Sequence, residues 1–212
     1  MEELEKSIIK TGTTTVGIIC KEGIVMAADK RSTADFFIAN KESVKVFKIT
    51  DNIAVTVAGV VSDIQLILKL TKAELKLKSV RTKMLPTVRE AANLFASIVY
   101  QNIRKFSPIM GISSFIIGGK DSTGFSMYVI GVDGSIQDCS NYVTTGAYGS
   151  FIAYGILENE WKPTLTIEEG RKMALKVIFT AIKRDASVGE GAHIVIIDEK
   201  GVGDIKDEKY EK

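Results

Sequence analysis

The chain has 212 residues, 45% of them hydrophobic and 25% charged, with a formal net charge of +2. That is ordinary globular composition, with enough chain to bury a substantial core. Lysines and acids are interspersed without a basic stripe, and the apolar runs are strand-length, so neither nucleic-acid binding nor a membrane span is expected.

In chain order, "MEELEKSIIK" (1–10) lacks the apolar stretch of a signal peptide and differs from the chain that follows, as a short leader would. "TTTVGIICK" (13–21) and "GIVMAADK" (23–30) read as a hairpin around "EG". "VKVFKI" (44–49) and "NIAVTVAG" (52–59) read as a second. From Ser62 the period becomes helical, with Ile64, Ile67, Leu68, Thr71 and Leu75 on one face and Ser62 with Gln65 fitting a capping box. A second helix follows "LPT", where Thr87 and Glu90 fit another box and Val88, Ala91, Phe95, Ile98 and Val99 line one face. Strands are predicted at 113–119, 125–132 and 135–140, helices at 149–160 and from Thr166 to near Arg184, and a last strand at 192–198. Thr166 with Glu169 makes a third capping box. The charged tail "KDEKYEK" is predicted to fray. Strands, two helices, strands, two helices and a strand make an α+β layered architecture of antiparallel sheets, not βαβ alternation. Neither a repeat nor a linker divides it, so one domain is expected.

Cys20 and Cys139 form no CxxC motif, and His193 is the only histidine. This argues against a disulfide framework and a zinc site, suits a reducing, cytoplasmic interior, and disfavours Ser–His–Asp chemistry. His193, beside "IVII", reads as structural. Neither metal nor cofactor is expected.

A threonine hydroxyl is a weak nucleophile until a base takes its proton. The α-amino group of an N-terminal threonine, with a pKa of about 7.7–8, is one such base. Thr13 would carry it only if the chain were cut after Gly12. The triplet "TTT" alone reads first as a strand start. Asp29 ends the apolar run "IVMAA", where a carboxylate needs a partner. Lys45, between Val44 and Val46, is either on a solvated face or turned inward beside Asp29, where it would tune the threonine. Gly59, ending "AVTVAG" before a helix, could offer a backbone N–H to an oxyanion.

Taken together, "TGTTTVG", "GIVMAADKRST", "VKVFKI", "AVTVAGVVSDIQ", "YGILE" and "KRDASVGEG" resemble a proteasome β subunit of the archaeal type along nearly the whole chain. The resemblance implies a four-layer sandwich of two antiparallel sheets flanked by helices, of the N-terminal-nucleophile hydrolase kind. It implies a leader, residues 1–12, removed autocatalytically at Gly12–Thr13, and a domain from 13 to 212. Thr13 would be the nucleophile, Asp29 would orient Lys45, Gly59 would stabilise the oxyanion, and Asp185 would support the site. Ser32, Thr33, Val57 and Val61 would line the pocket beside the scissile bond, with a preference for apolar residues. The implied partners are proteasome α subunits, other β subunits in seven-membered rings, an ATP-driven unfoldase and unfolded polypeptides.

The chain departs from the family pattern at two places. The segment "TGAYGSFIAYGILE" puts Ala147 and Tyr148 where a serine is usual, with Ser150 beyond them. In "RDASVG", Val188 takes a serine position and Ser187 lies one residue early. A valine cannot hydrogen-bond an amine. The alternative implied is a non-catalytic or partner-dependent structural subunit that keeps its leader.

Overall fold

A computed structural model of the chain describes residues 12–107, 110–146 and 148–210. Two antiparallel sheets face each other. The first runs β10 (Tyr142–Gly146), β1 (Thr14–Cys20), β2 (Gly23–Asp29), β11 (Gly191–Asp198) and β12 (Gly201–Val202), with β13 (Lys206–Lys209) also on β11. The second runs β5 (Val46–Thr50), β6 (Ile53–Gly59), β7 (Ser113–Asp121), β8 (Gly124–Ile130) and β9 (Ile136–Cys139). A short hairpin, β3 (Ser32–Ala34) with β4 (Phe37–Asn40), stands apart from both.

Ile24, Met26 and Ala28 of β2, Ile116 and Met127 of the second sheet, and Val195 and Ile197 of β11 form a core between the sheets. Helices α1 (Val61–Thr82) and α2 (Val88–Arg104) cover the outer face of the second sheet, where Phe95 meets Phe115 with ring centroids 5.1 Å apart. Helices α3 (Gly149–Glu160) and α4 (Ile167–Arg184) cover the first through Ala153, Leu157, Ala174, Val177 and Ile178. The result is the expected helix–sheet–sheet–helix sandwich. β2 is buried along its whole length, which explains why its sequence is an unbroken apolar run.

The capping boxes Thr87/Glu90 and Thr166/Glu169 form as predicted. The Ser62/Gln65 box does not: α1 starts from Val60, whose carbonyl already accepts from the Ile64 N–H, leaving Ser62 inside the first turn. The tail does not fray where it is described. Lys206 to Lys209 pair with β11 through backbone groups, which a charged sequence does not prevent.

Candidate active site

Thr13 immediately precedes β1 and is buried at the end of the sandwich. β1 runs between β2 and β10, which places Thr13 near Asp29 at the end of β2 and against Gly146 at the end of β10. A Cβ on Gly146 would lie 1.9 Å from the Thr13 carbonyl oxygen, so only glycine permits this approach.

Lys45 turns inward. Its Nζ donates to Thr13 Oγ1 at 3.0 Å, to Asp29 Oδ1 at 2.8 Å and to the Arg31 carbonyl at 2.5 Å. An ammonium has three protons, and all three are used. The Asp29 carboxylate also takes backbone N–H groups from Thr14 at 3.1 Å, Arg31 at 3.0 Å and Gly189 at 3.2 Å. Burial pushes the Asp29 carboxyl up and the Lys45 ammonium down, each opposed by the charge of the other. The Thr13 hydroxyl donates to the Gly12 carbonyl at 2.6 Å, which puts it against the bond that would be cut.

Gly59 sits at φ +132°, and a Cβ there would meet the Ile112 carbonyl oxygen at 2.2 Å. Gly59, Thr13 and Gly146 line one small cavity of 140 Å³ with Ala58, Ile112 and Ser114. Asp185 stands one step back. It accepts from the Gly149 N–H at 2.9 Å and from the Ser187 N–H and hydroxyl at 2.9 and 2.5 Å. Ser187 in turn lies against Gly12, so closely that a Cβ on Gly12 would fall 1.8 Å from the serine side chain. Val188 is fully buried, and the serine shifted by one position, Ser187, is the one that lies against Gly12.

A cleft of 580 Å³ opens beside Thr13 and Gly12. Ser32, Val57 and Val61 line it with Phe47, Ile64 and Leu68. Thr33 does not: it follows Ser32 in β3, where successive side chains point to opposite faces, and it lines a second cleft with Tyr148 and Ser187. Its hydroxyl oxygen accepts the Gly12 N–H at 3.2 Å. Residues 1–11 and Ala147 lie outside the described residues. Among those described, no three or more His, Cys, Asp or Glu residues group as metal ligands, and no helix is long and apolar enough to cross a membrane.

Sequence reasoning missed Arg31, Gly146 and Gly189. The side chain of Arg31 binds Glu190 and the Ala186 carbonyl, tying the 185–190 turn to the site. The glycine of "TTG" before α3 was the available signal for Gly146, whereas Gly189 and the Arg31 N–H and carbonyl reach Asp29 and Lys45 through main-chain atoms that leave no side-chain mark.

Fold and site together define a class: a two-sheet sandwich with a buried threonine at the head of its first strand and a lysine–aspartate pair at the hydroxyl. The chain belongs to the proteasome subunit family, whose model matches residues 9–197. It is 36% identical to a protein named proteasome subunit beta from Archaeoglobus profundus over 210 residues, 99% of this chain and 95% of the relative. Proteins of the same name from Archaeoglobus fulgidus and Methanococcus vannielii are each 39% identical, over 94% and 99% of this chain and 91% and 93% of theirs.

Proposed function

We propose that this chain is a threonine endopeptidase subunit of a proteasome core particle, and that it frees its own nucleophile by cutting Gly12–Thr13. The observation that carries the proposal is the Lys45 ammonium, which hydrogen-bonds the Thr13 hydroxyl while Asp29 and the Arg31 carbonyl hold it in place.

In the precursor, Thr13 Oγ attacks the Gly12 carbonyl carbon. The O–C bond forms, the C–N bond breaks, and water carries the hydroxyl proton to the departing nitrogen. Hydrolysis of the resulting ester releases the leader with a free carboxylate and leaves Thr13 with a free amine and hydroxyl. That amine, with a pKa of about 7.7–8 before Lys45 depresses it, then takes the hydroxyl proton when a substrate carbonyl is attacked. It returns the proton to the leaving amine, and water then hydrolyses the acyl-threonine ester, releasing the carboxylate product and restoring the Thr13 hydroxyl. Lys45 stabilises the developing negative charge on Oγ, and the Gly59 N–H faces the tetrahedral oxyanion. Asp185 and Ser187 keep the Gly12–Thr13 region in register. The largely apolar cleft at Ser32, Val57 and Val61 accepts the side chain preceding the cut bond, favouring apolar residues. Seven-membered β rings stacked on α rings, fed with unfolded polypeptide by an ATP-driven unfoldase, are the assembly this reading calls for.

The test is intact mass and peptide hydrolysis after co-expression with α subunits, in particles whose only β subunit is this chain. A species beginning at Thr13 is expected, with Thr13→Ala retaining residues 1–12 and losing hydrolysis. Hydrolysis that survives Thr13→Ala overturns the mechanism.

A further inference from the structure

Lys30 follows Asp29 but serves a different cluster. Its side chain is only 3% exposed, yet it is flanked by two surface carboxylates. Nζ donates to both oxygens of Asp207 at 2.9 Å and pairs with Glu42 at 2.5 Å. Asp207 belongs to β13, the last described strand, and Glu42 to the segment between β4 and β5. The Lys30 carbonyl also accepts the Ser43 N–H at 2.9 Å, and its own N–H donates to the Gly189 carbonyl at 3.2 Å.

The segment so held is one wall of the cleft, to which Asn40, Glu42, Ser43, Val44 and Lys45 all contribute. Its far end is fixed independently. The Lys45 carbonyl accepts the Val57 N–H at 3.0 Å, and the Lys45 side chain is pinned by Asp29 and Arg31. The near end rests on Lys30 and, through Lys30, on β13. Residues 40–44 are themselves mostly exposed, so packing supplies little of their placement.

We infer that Lys30 is a positioning residue for substrate: through Glu42 and Asp207 it makes the C-terminal strand a brace for the cleft wall at residues 40–45. The inference rests on the proposed peptidase activity for its functional consequence, though not for its structural one. Because Lys45 is anchored separately, loosening the brace affects how peptide is held and leaves the reacting groups in place.

Asp207→Asn and Lys30→Met test this in the assembled particle, with Asp207→Asn sufficient if Lys30→Met does not fold. Amide exchange at Ser43 and its neighbours is expected to accelerate by about tenfold or more, equivalent to ~1.4 kcal/mol of local opening, while β6 and β7 keep their protection. For an apolar peptide substrate, KM is expected to rise several-fold with kcat within about a factor of two. Unchanged exchange at 40–45 in folded variants overturns the brace. Acceleration spread evenly over all strands does so too, since it reports global destabilisation. The exchange arm needs no turnover, so an inactive wild-type particle with selectively faster exchange in the variants would sink the peptidase reading and uphold the brace.

Discussion

Replacing Lys45 by methionine removes a cation whose side chain is 8% exposed and whose partner, Asp29, is fully buried. Breaking a buried pair from one side strands the other charge and costs about 3–5 kcal/mol. The low end applies here, because Asp29 keeps the N–H donors of Thr14, Arg31 and Gly189. Asp29→Asn is expected to cost a similar amount. Lys45 then keeps the Arg31 carbonyl and the Thr13 hydroxyl, but the carboxamide NH2 opposes an N–H donor on one flank. The double variant strands no charge, so it should be less destabilised than the sum of the singles by about 1–3 kcal/mol. Denaturant unfolding of the unassembled chain measures the cycle, and intact mass measures leader removal in the assembled one. The double variant's loss of stability should fall short of the summed single losses while processing stays absent in all three. Strict additivity would refute the coupling, and wild-type processing in Lys45→Met would refute the role of the ammonium.

Gly59→Ala forces a Cβ to 2.2 Å from a backbone oxygen at a φ that L residues avoid, so peptide turnover should fall about 100-fold as the N–H shifts; turnover within a few-fold of wild type would exclude that N–H from catalysis. Val57→Ala removes buried cleft lining, so kcat/KM for a well-fitting apolar peptide should drop by about tenfold, and unchanged selectivity across a peptide series would reject the pocket assignment. Ser187→Ala should slow leader removal measured by intact mass, while Val188→Ala, which leaves the Ser187 side chain against Gly12 in place, should slow it less once folding is matched. His193 is held below its ordinary pKa, chiefly by burial, with Asp207 and Glu42 opposing and Lys30 and Lys45 reinforcing. The folded state therefore disfavours the charged ring, so stability is full above about pH 6.5 and declines as pH falls toward the lower folded value; His193→Gln should flatten that decline in pH-dependent unfolding, and parallel curves would refute it.

The elements legible in the sequence were those whose signals are local. Two capping boxes placed α2 and α4, and the apolar runs of β1, β2, β6 and β11 announced themselves. The β3–β4 hairpin was not legible. It turns at Asp35 with φ +53°, without the glycine that usually marks such a turn, and exposes Phe36 and Phe37. β13 was hidden because backbone pairing with β11 determines it and its side chains are charged. In the site, Thr13, Asp29, Lys45 and Gly59 each gave a weak signal that order and spacing strengthened. Their supports could not be read: the Arg31 carbonyl and the N–H groups of Thr14, Arg31 and Gly189 exist in every chain, and only the fold aims them at Asp29 and Lys45. Ser187 shows the converse limit, since register in the sequence placed Val188 at the site whereas the turn after α4 presents its neighbour.

The Lys45–Asp29 pair also weighs on whether this chain is an enzyme or a scaffold. A buried ion pair is a poor way to stabilise a fold, because desolvation offsets most of its Coulomb energy, and apolar residues of similar volume commonly do as well or better. A subunit needed only for its shape would gain nothing from the arrangement at the head of β1. Two charges are buried, four donors converge on one carboxylate, and a third ammonium proton is directed at a threonine hydroxyl. The hydroxyl in turn contacts the carbonyl of a glycine whose missing side chain leaves room for Ser187. Each of these features is costly or neutral for folding and useful for acyl transfer. The decisive comparison is therefore a variant that removes the charges but keeps an oxygen for the Thr14, Arg31 and Gly189 N–H groups: Lys45→Met with Asp29→Asn in the assembled particle. If it assembles while residues 1–12 remain attached, the pair serves chemistry. If removing it prevents assembly while leader removal persists in the chains that form, the pair belongs to the scaffold.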